Sequence, residues 1–263
     1  MKMKNYELII DNFAGGGGAS TGMELGLNRH VDVAINHDPI AIEMHKRNHP
    51  ETKHYNENIW NVDPVEVCNG RPIGHAWFSP DCKHFSKARG GTPVDKSIRG
   101  LAWVVLKWAA SVPMRVFYLE NVTEFLTWGP VEEVQPGKFK PVKELKGTIF
   151  DAFIAILTTG LNKNHFVWDE IKDVLGHDFE YYDRLESGLG YKVDHRLIQA
   201  CDYGAPTSRN RLYLIGRNDG EPIIWPKPTH GPNSKNKLPW KSAASIIDWS
   251  IPSKSIFNRK RSP

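Results

Sequence analysis

The sequence predicts an α/β fold built on an open, doubly wound sheet, and three observations carry that reading. Short apolar runs of strand length recur along the chain, at Tyr6 to Ile10, Val31 to Ile35, His75 to Phe78, Arg115 to Leu119 and Leu212 to Ile215. Stretches of helical length lie between them, which is the alternation that lays parallel strands side by side. Glycines or polar residues follow the runs directly, where such a sheet opens its ligand crevice. A chain of 263 residues holds one large domain of this kind, or a domain with an appendage.

Composition narrows the class. With 40% apolar and 24% charged residues the chain is an ordinary globular one, neither disordered nor membrane-spanning. No apolar run reaches the roughly 18 residues of a spanning helix. The three cysteines, Cys68, Cys82 and Cys201, form no CxxC pair and no metal spacing, so a reduced, cytoplasmic setting without a metal site is expected. Charge is unevenly spread. From Pro226 to Pro263 there are eight Lys/Arg against one acid, Asp248, so this segment carries +7 of a net +4 and the first 225 residues carry −3. We therefore expect a domain over 1–225 and a basic segment over 226–263. That segment is either a solvated surface or, with His230, Trp240 and Trp249 interleaved, a partner for nucleic-acid phosphates.

The first strand, Tyr6 to Ile10, leads through Asp11-Asn12-Phe13-Ala14 into Gly15 to Gly18, and a helix is expected over Thr21 to Asn28. Consecutive glycines allow a tight turn and close approach of a ligand, and the helix start offers free N–H groups. Ser20 stands where the third glycine of a dinucleotide fingerprint would be, so a flexible turn stays open as a reading. The second strand, Val31 to Ile35, ends at Asn36-His37-Asp38-Pro39 before a helix over Ile40 to Asn48. Asp38 suits a ribose contact or a helix cap equally. A poorly marked third strand precedes Asn58-Ile59.

The strand His75 to Phe78 is stopped by Pro80, and Cys82 follows at once in a polar loop ending Arg89-Gly90-Gly91. A thiol at a strand end is placed to be a nucleophile. A lone cysteine is otherwise most often a buried structural one, and Pro80, Asp81, Lys83 and His84 count against that here. Ile98 to Ala110 is apolar nearly all round and predicts a helix buried on the sheet. Arg115 to Leu119 ends in Glu120-Asn121-Val122, and a carboxylate at a buried strand end is costly unless paired or functional. Residues 126 to 146 read as an irregular excursion. Helical segments are expected around Thr148 to Thr158 and Val167 to Leu185, then a strand over Tyr191 to Gln199 and a turn at Asp202 to Pro206. Arg209 and Arg211, two apart at the next strand, would share a face and clamp one anionic or carbonyl-rich ligand, or serve as surface charges.

Four segments in this order resemble the DNA (cytosine-5) methyltransferases over roughly residues 6 to 217: Phe13 to Gly18, the loop Ser79 to Ser86, Glu120-Asn121-Val122, and Arg209-Asn210-Arg211 after Asp202 to Pro206. The resemblance implies a Rossmann-like sheet of the S-adenosylmethionine-dependent methyltransferase type and methyl transfer to C5 of a flipped-out cytosine in DNA. It implies Cys82, Glu120, Arg209 and Arg211 at the base. At S-adenosylmethionine it implies Phe13, Ala14, Gly15, Gly17, Gly18, Asn36, Asn58, Pro80 and Leu101. Asp81, Asn36, Asn58 and Thr207 depart from the family's usual proline, ribose-binding glutamate, adenine-side acid and glutamine. The family chain goes on to a recognition region and a final cofactor-side helix. Here Trp225 to Gly231 and Pro239 to Phe257 look like the start of that region. A second chain completing the enzyme is therefore one expectation, beside a truncated chain or a non-catalytic DNA-binding remnant. An RNA or nucleotide cytosine-5 methyltransferase shares the chemistry. A nicotinamide-dependent oxidoreductase would leave Cys82, Glu120 and the arginine pair unexplained.

Overall fold

The structure, a computed structural model, describes residues 6–80, 100–135, 138–232 and 236–252. Two units emerge, residues 1–197 with 211–224 and residues 198–210 with 225–263. The frame is a seven-stranded sheet in the order β3-β2-β1-β4-β5-β9-β8. Strand β1 (Leu8–Asn12) is buried at all five residues, as a strand covered on both faces must be. It pairs in parallel with β2 (Val33–Asn36) and β4 (Ile73–Phe78). β2 pairs with β3 (Lys53–Asn56), and β4 with β5 (Met114–Asn121), again in parallel.

Helix starts follow from local chemistry. Helix α1 (Gly18–Leu27) begins at Gly17, whose φ of 103° is the left-handed region that glycine tolerates. Helix α2 (Pro39–Asn48) has Asp38 as its N-cap, accepting from the Ile40 N–H at 2.8 Å, with proline at the first position. The same Asp-Pro device starts α3 (Pro64–Cys68). Helix α4 (Val104–Ser111) is preceded by a 3-10 turn, Gly100–Trp103. Its buried face includes Val104, Val105, Leu106, Trp108, Ala109 and Ala110, in keeping with the all-round apolar pattern. Trp103, Phe117, Trp128 and Phe153 join it in the main core.

Several element bounds depart from expectation, each for a physical reason. β1 continues through Asp11 and Asn12, because the Asn12 position pairs with Ile35 and Phe78 on either side. β5 runs on through Glu120 and Asn121, because the antiparallel β9 (Asn210–Arg217) pairs there as Glu120↔Tyr213 and Asn121↔Leu212. The excursion after β5 contains a hairpin, β6 (Val131–Gln135) and β7 (Lys138–Pro141). Beyond α5 (Thr148–Leu157), the expected single helix is two, α6 (Val167–Leu175) and α7 (Tyr182–Ser187). Gly176, at φ 90°, ends the first of them. β8 (Lys192–Gln199) completes the sheet.

In the second unit, the 3-10 turn Ala200–Tyr203 accepts the Thr229 N–H at Asp202 O (2.9 Å) and the Trp240 Nε1–H at Asp202 Oδ1 (3.0 Å). The short pair β10 (His230–Gly231) and β11 (Leu238–Pro239) lies alongside. Gly204 carries the buried His230 ring against its Cα, and a Cβ there would meet the ring at 2.6 Å. Trp240, Ile246, Trp249 and Ile251 are exposed. Among the described residues no helix is long and apolar enough to cross a membrane.

Candidate active site

Parallel strands put their carboxyl ends on one edge, and the register brings the predicted residues of the first unit there. Asn12 sits opposite Ile35 and Phe78, Asn36 opposite Asn56, and Phe78 opposite Leu119. The glycine loop, Asn36, Asn58, Pro80 and Glu120 therefore lie along one rim. β9 runs the other way, so Arg211, near its start, comes to the same rim.

Arg211 Nε and Glu120 Oε1 lie 3.2 Å apart, both side chains about one-fifth exposed. Next to this pair Asn121, 3% exposed, donates from Nδ2 to Pro80 O at 3.4 Å and accepts the Val122 N–H at Oδ1 (2.8 Å). Asn121 thus ties the end of β5 to the end of β4, at the point where the chain departs toward Cys82. The sequence supplied Asn121 only as the middle of a tripeptide; its burial was the missing signal. Cys82 lies outside the described residues. The other two thiols are enclosed: Cys201 is buried, and burial pushes Cys68 up to about 12. Burial shields Cys201 from a substrate, and Cys68 supplies little of the thiolate that attacks. Arg209 directly precedes β9 and belongs to the second unit; its N–H donates to Thr207 Oγ1 at 3.3 Å. The expectation of two arginines on one strand is corrected to one, since β9 begins at Asn210.

The glycine loop is built with two kinds of glycine. A Cβ on Gly16 would meet Met44 Sδ at 2.6 Å, and one on Gly17 would collide with the His49 ring. On Gly15 and Gly18 a Cβ would meet nothing within 4 Å among the described residues. Gly17 is required by the fold, Gly16 needs only the flexible, half-exposed Met44 side chain to shift, and Gly15 and Gly18 lie open. Phe13, which opens the loop, holds φ 65°, an uncommon conformation for an aromatic residue and one that clusters at ligand sites. Asn36 works inside the loop's support: Nδ2 donates to Ala14 O at 2.7 Å and Oδ1 accepts the Asp38 N–H at 2.8 Å. Asp38 is the cap of α2. Asn58 Oδ1 accepts the Trp60 N–H at 3.1 Å in an exposed turn, and Leu101 packs half-buried on the core. Lys107 steadies that turn from α4, donating to Trp60 O and Val62 O at 2.8 and 2.9 Å. Among the described residues no group of three His, Cys, Asp or Glu could hold a metal ion.

Comparison with known proteins places this arrangement. The family model for C-5 cytosine-specific DNA methylase matches residues 172–257. The chain is 25% identical to the Type II methyltransferase M.DdeI of Desulfomicrobium norvegicum, covering 82% of this chain and 41% of that protein. It is 22% identical to the Type II methyltransferase M.AquIA of Picosynechococcus, covering 86% and 78%. The chain thus spans less than half the length of the first relative. A solved DNMT2 mutant of Spodoptera frugiperda shares the fold, with a TM-score of 0.52 at 18% identity over 94% of this chain and 61% of that one. The chain is thus similar to Type II methyltransferases over most of its length, and it matches the C-5 cytosine-specific DNA methylase model over residues 172–257.

Proposed function

We propose that the chain carries out methyl transfer to C5 of cytosine in DNA, with S-adenosylmethionine at the glycine loop and Cys82 as nucleophile. The observation that carries this reading is the Glu120–Arg211 pair beside the Asn121–Pro80 tie, on the rim that also holds the open glycines. The loop fits the cofactor, because Gly15 and Gly18 leave room for close approach at the start of α1.

The ring carbon C6 of cytosine is a poor electrophile, so attack on it needs an acid at the far side of the ring. Cys82, as thiolate, forms a bond to C6 while Glu120 donates a proton toward N3 and stabilises the enamine that develops. Arg211, 3.2 Å from one carboxyl oxygen of Glu120, holds that carboxyl group in place. S-adenosylmethionine, when bound, supplies the electrophilic methyl group that C5 accepts. Water then takes the C5 proton, N3 returns its proton to Glu120, the electrons reform the ring double bond, and the Cys82–C6 bond breaks to release thiolate. A cytosine inside a duplex is out of reach, so the base is flipped out at a cost of a few kcal/mol. Arg209 is read as a second cation on the base or its phosphate.

The basic segment 226–263 is read as a nucleic-acid contact, and a further chain as the source of the remaining recognition surface. The exposed Trp240, Ile246, Trp249 and Ile251 support that packing. Transfer of labelled methyl from S-adenosylmethionine to DNA, with Cys82→Ser as control, tests the reading. Label reaching DNA equally in the control would refute it.

A further inference from the structure

The chain that leaves the rim at Asn121 does not pass straight into α5. It makes a 3-10 turn, Thr123–Thr127, reaches the buried Trp128, and forms the ribbon β6–β7 before α5 starts at Thr148. The two ends of this insertion are clasped together. Trp128 O accepts the Ile149 and Phe150 N–H groups at 3.0 and 3.2 Å, and Pro130 O accepts the Val142 N–H at 3.0 Å. Gly129 lies so close to the Leu145 backbone that a Cβ would collide with Leu145 O. Trp128 is held in turn by the rings of Trp103 and Phe125, at centroid distances of 4.6 and 5.1 Å. The stem of the ribbon is thus fixed to the core, a short turn past the end of the strand that carries Glu120.

The register sorts the side chains of the ribbon. Glu132 stands opposite Lys140 and Glu133 opposite Phe139, but the next pair is Gln135 with Lys138, so Val134 is the extra residue of a bulge. Cross-strand partners share a face, as do alternate residues of one strand. One face therefore carries Val131, Glu133, Phe139 and Pro141, with Val131 and Phe139 half-buried. The other carries Glu132, Lys140 and, because of the bulge, Gln135, all three exposed. Without the extra residue Gln135 would follow Val131 and Glu133 to the first face.

The second face has a definite chemistry. A carboxylate, an amide and an ammonium side by side do not suit phosphates, which call for cations alone. They do match base edges: a carboxylate accepts from cytosine N4, an amide pairs with adenine N6 and N7, and a lysine donates to guanine O6 and N7. A two-stranded ribbon is also, with the helix, a shape that the major groove of B-DNA admits. We propose that the ribbon β6–β7 reads base edges in the major groove beside the flipped cytosine through Glu132, Gln135 and Lys140, and so determines part of the sequence specificity. The proposal rests on the reading of the chain as a DNA methyltransferase. Because the stem at Trp128 is fixed to the core, the base pairs that the ribbon reads lie at a set distance from the target base.

Selection from a mixed-sequence pool of duplexes tests this. The purified 263-residue chain, with S-adenosylhomocysteine present, captures DNA, and the captured duplexes are sequenced. The wild-type chain enriches particular base pairs. Gln135→Ala and Lys140→Ala each lose about tenfold of that enrichment at one or two adjacent base pairs and keep it elsewhere. Both variants unfold at the wild-type temperature, since the two side chains are exposed, and bind S-adenosylhomocysteine as before. Enrichment unchanged in both variants overturns the proposal, and so does a loss spread evenly over all sequences, the mark of phosphate contacts. A wild-type chain that binds DNA without enriching any base pair also overturns it, and leaves the methyltransferase reading standing. A chain that binds no DNA at all overturns that reading, and the role of the ribbon with it.

Discussion

Arg211 Nε lies 3.2 Å from Glu120 Oε1, so one ion pair joins the antiparallel strand β9 to the carboxyl end of the parallel strand β5. The pair is only partly covered by protein, so its contribution to folding is small and its consequence is orientation. We expect Glu120→Gln and Arg211→Ala each to lower methyl transfer by about 10²–10³-fold, the scale for losing one oriented stabilising group. Stability should change by about 1 kcal/mol, far less than activity, as for other partly exposed pairs. Urea unfolding beside a labelled-methyl assay separates the two effects.

The glycines of the loop should divide in a second pair of measurements. Gly15→Val leaves the fold intact, since a side chain there meets nothing, and removes S-adenosylmethionine binding. Gly17→Ala acts first on stability, because φ 103° and the His49 ring both exclude a Cβ. The cost is about 1–3 kcal/mol in thermal unfolding. Calorimetry on folded Gly15→Val showing unchanged affinity would contradict the placement of the ligand.

Acid stability has an identifiable source in His75. Burial, and next the charge of Arg115, lower its pKa from 6.5 to about 4. Its Nδ1 meets the Tyr118 hydroxyl at 3.0 Å, and Arg115 Nη2 faces Nε2 at 3.4 Å. The unfolded chain binds this proton more readily. The neutral ring therefore stabilises the fold above about pH 6.5, and that contribution is lost as pH falls toward about 4, at most roughly 3 kcal/mol. His75→Gln should flatten the stability profile in that window. Denaturation at stepped pH checks it, and an unchanged slope would assign the acid sensitivity elsewhere.

Asn12 ends β1 fully buried, and neither amide atom has a partner among the described residues. Its neighbours across the sheet are Ile35 and Phe78. Replacing it with a side chain of similar size and no polar atoms should raise stability, by about 1–2 kcal/mol for Asn12→Leu in thermal unfolding.

Much of the rim was legible in the sequence because strand ends carry their own punctuation. Pro80 after Phe78, the glycines after Asn12, and Glu120 after an apolar run each mark where a buried strand meets a polar rim. What was not legible is what depends on distant partners. Gly15 and Gly17 read alike in sequence, yet only Gly17 is filled by His49, 32 positions away. Asn36 reads as a ligand residue in the sequence, and its support of the loop through the Ala14 carbonyl shows only in the structure. Strand ends were misjudged where pairing extends them, as at Glu120 and Asn121 against β9.

The most direct test of the account is covalent capture on DNA carrying 5-fluorocytosine in the presence of S-adenosylmethionine. Fluorine at C5 removes the proton whose loss releases the enzyme, so the Cys82–C6 bond persists. We expect a denaturation-resistant protein–DNA adduct that disappears in Cys82→Ser and survives in Cys68→Ser and Cys201→Ser. Adduct formed undiminished by Cys82→Ser would contradict the central claim.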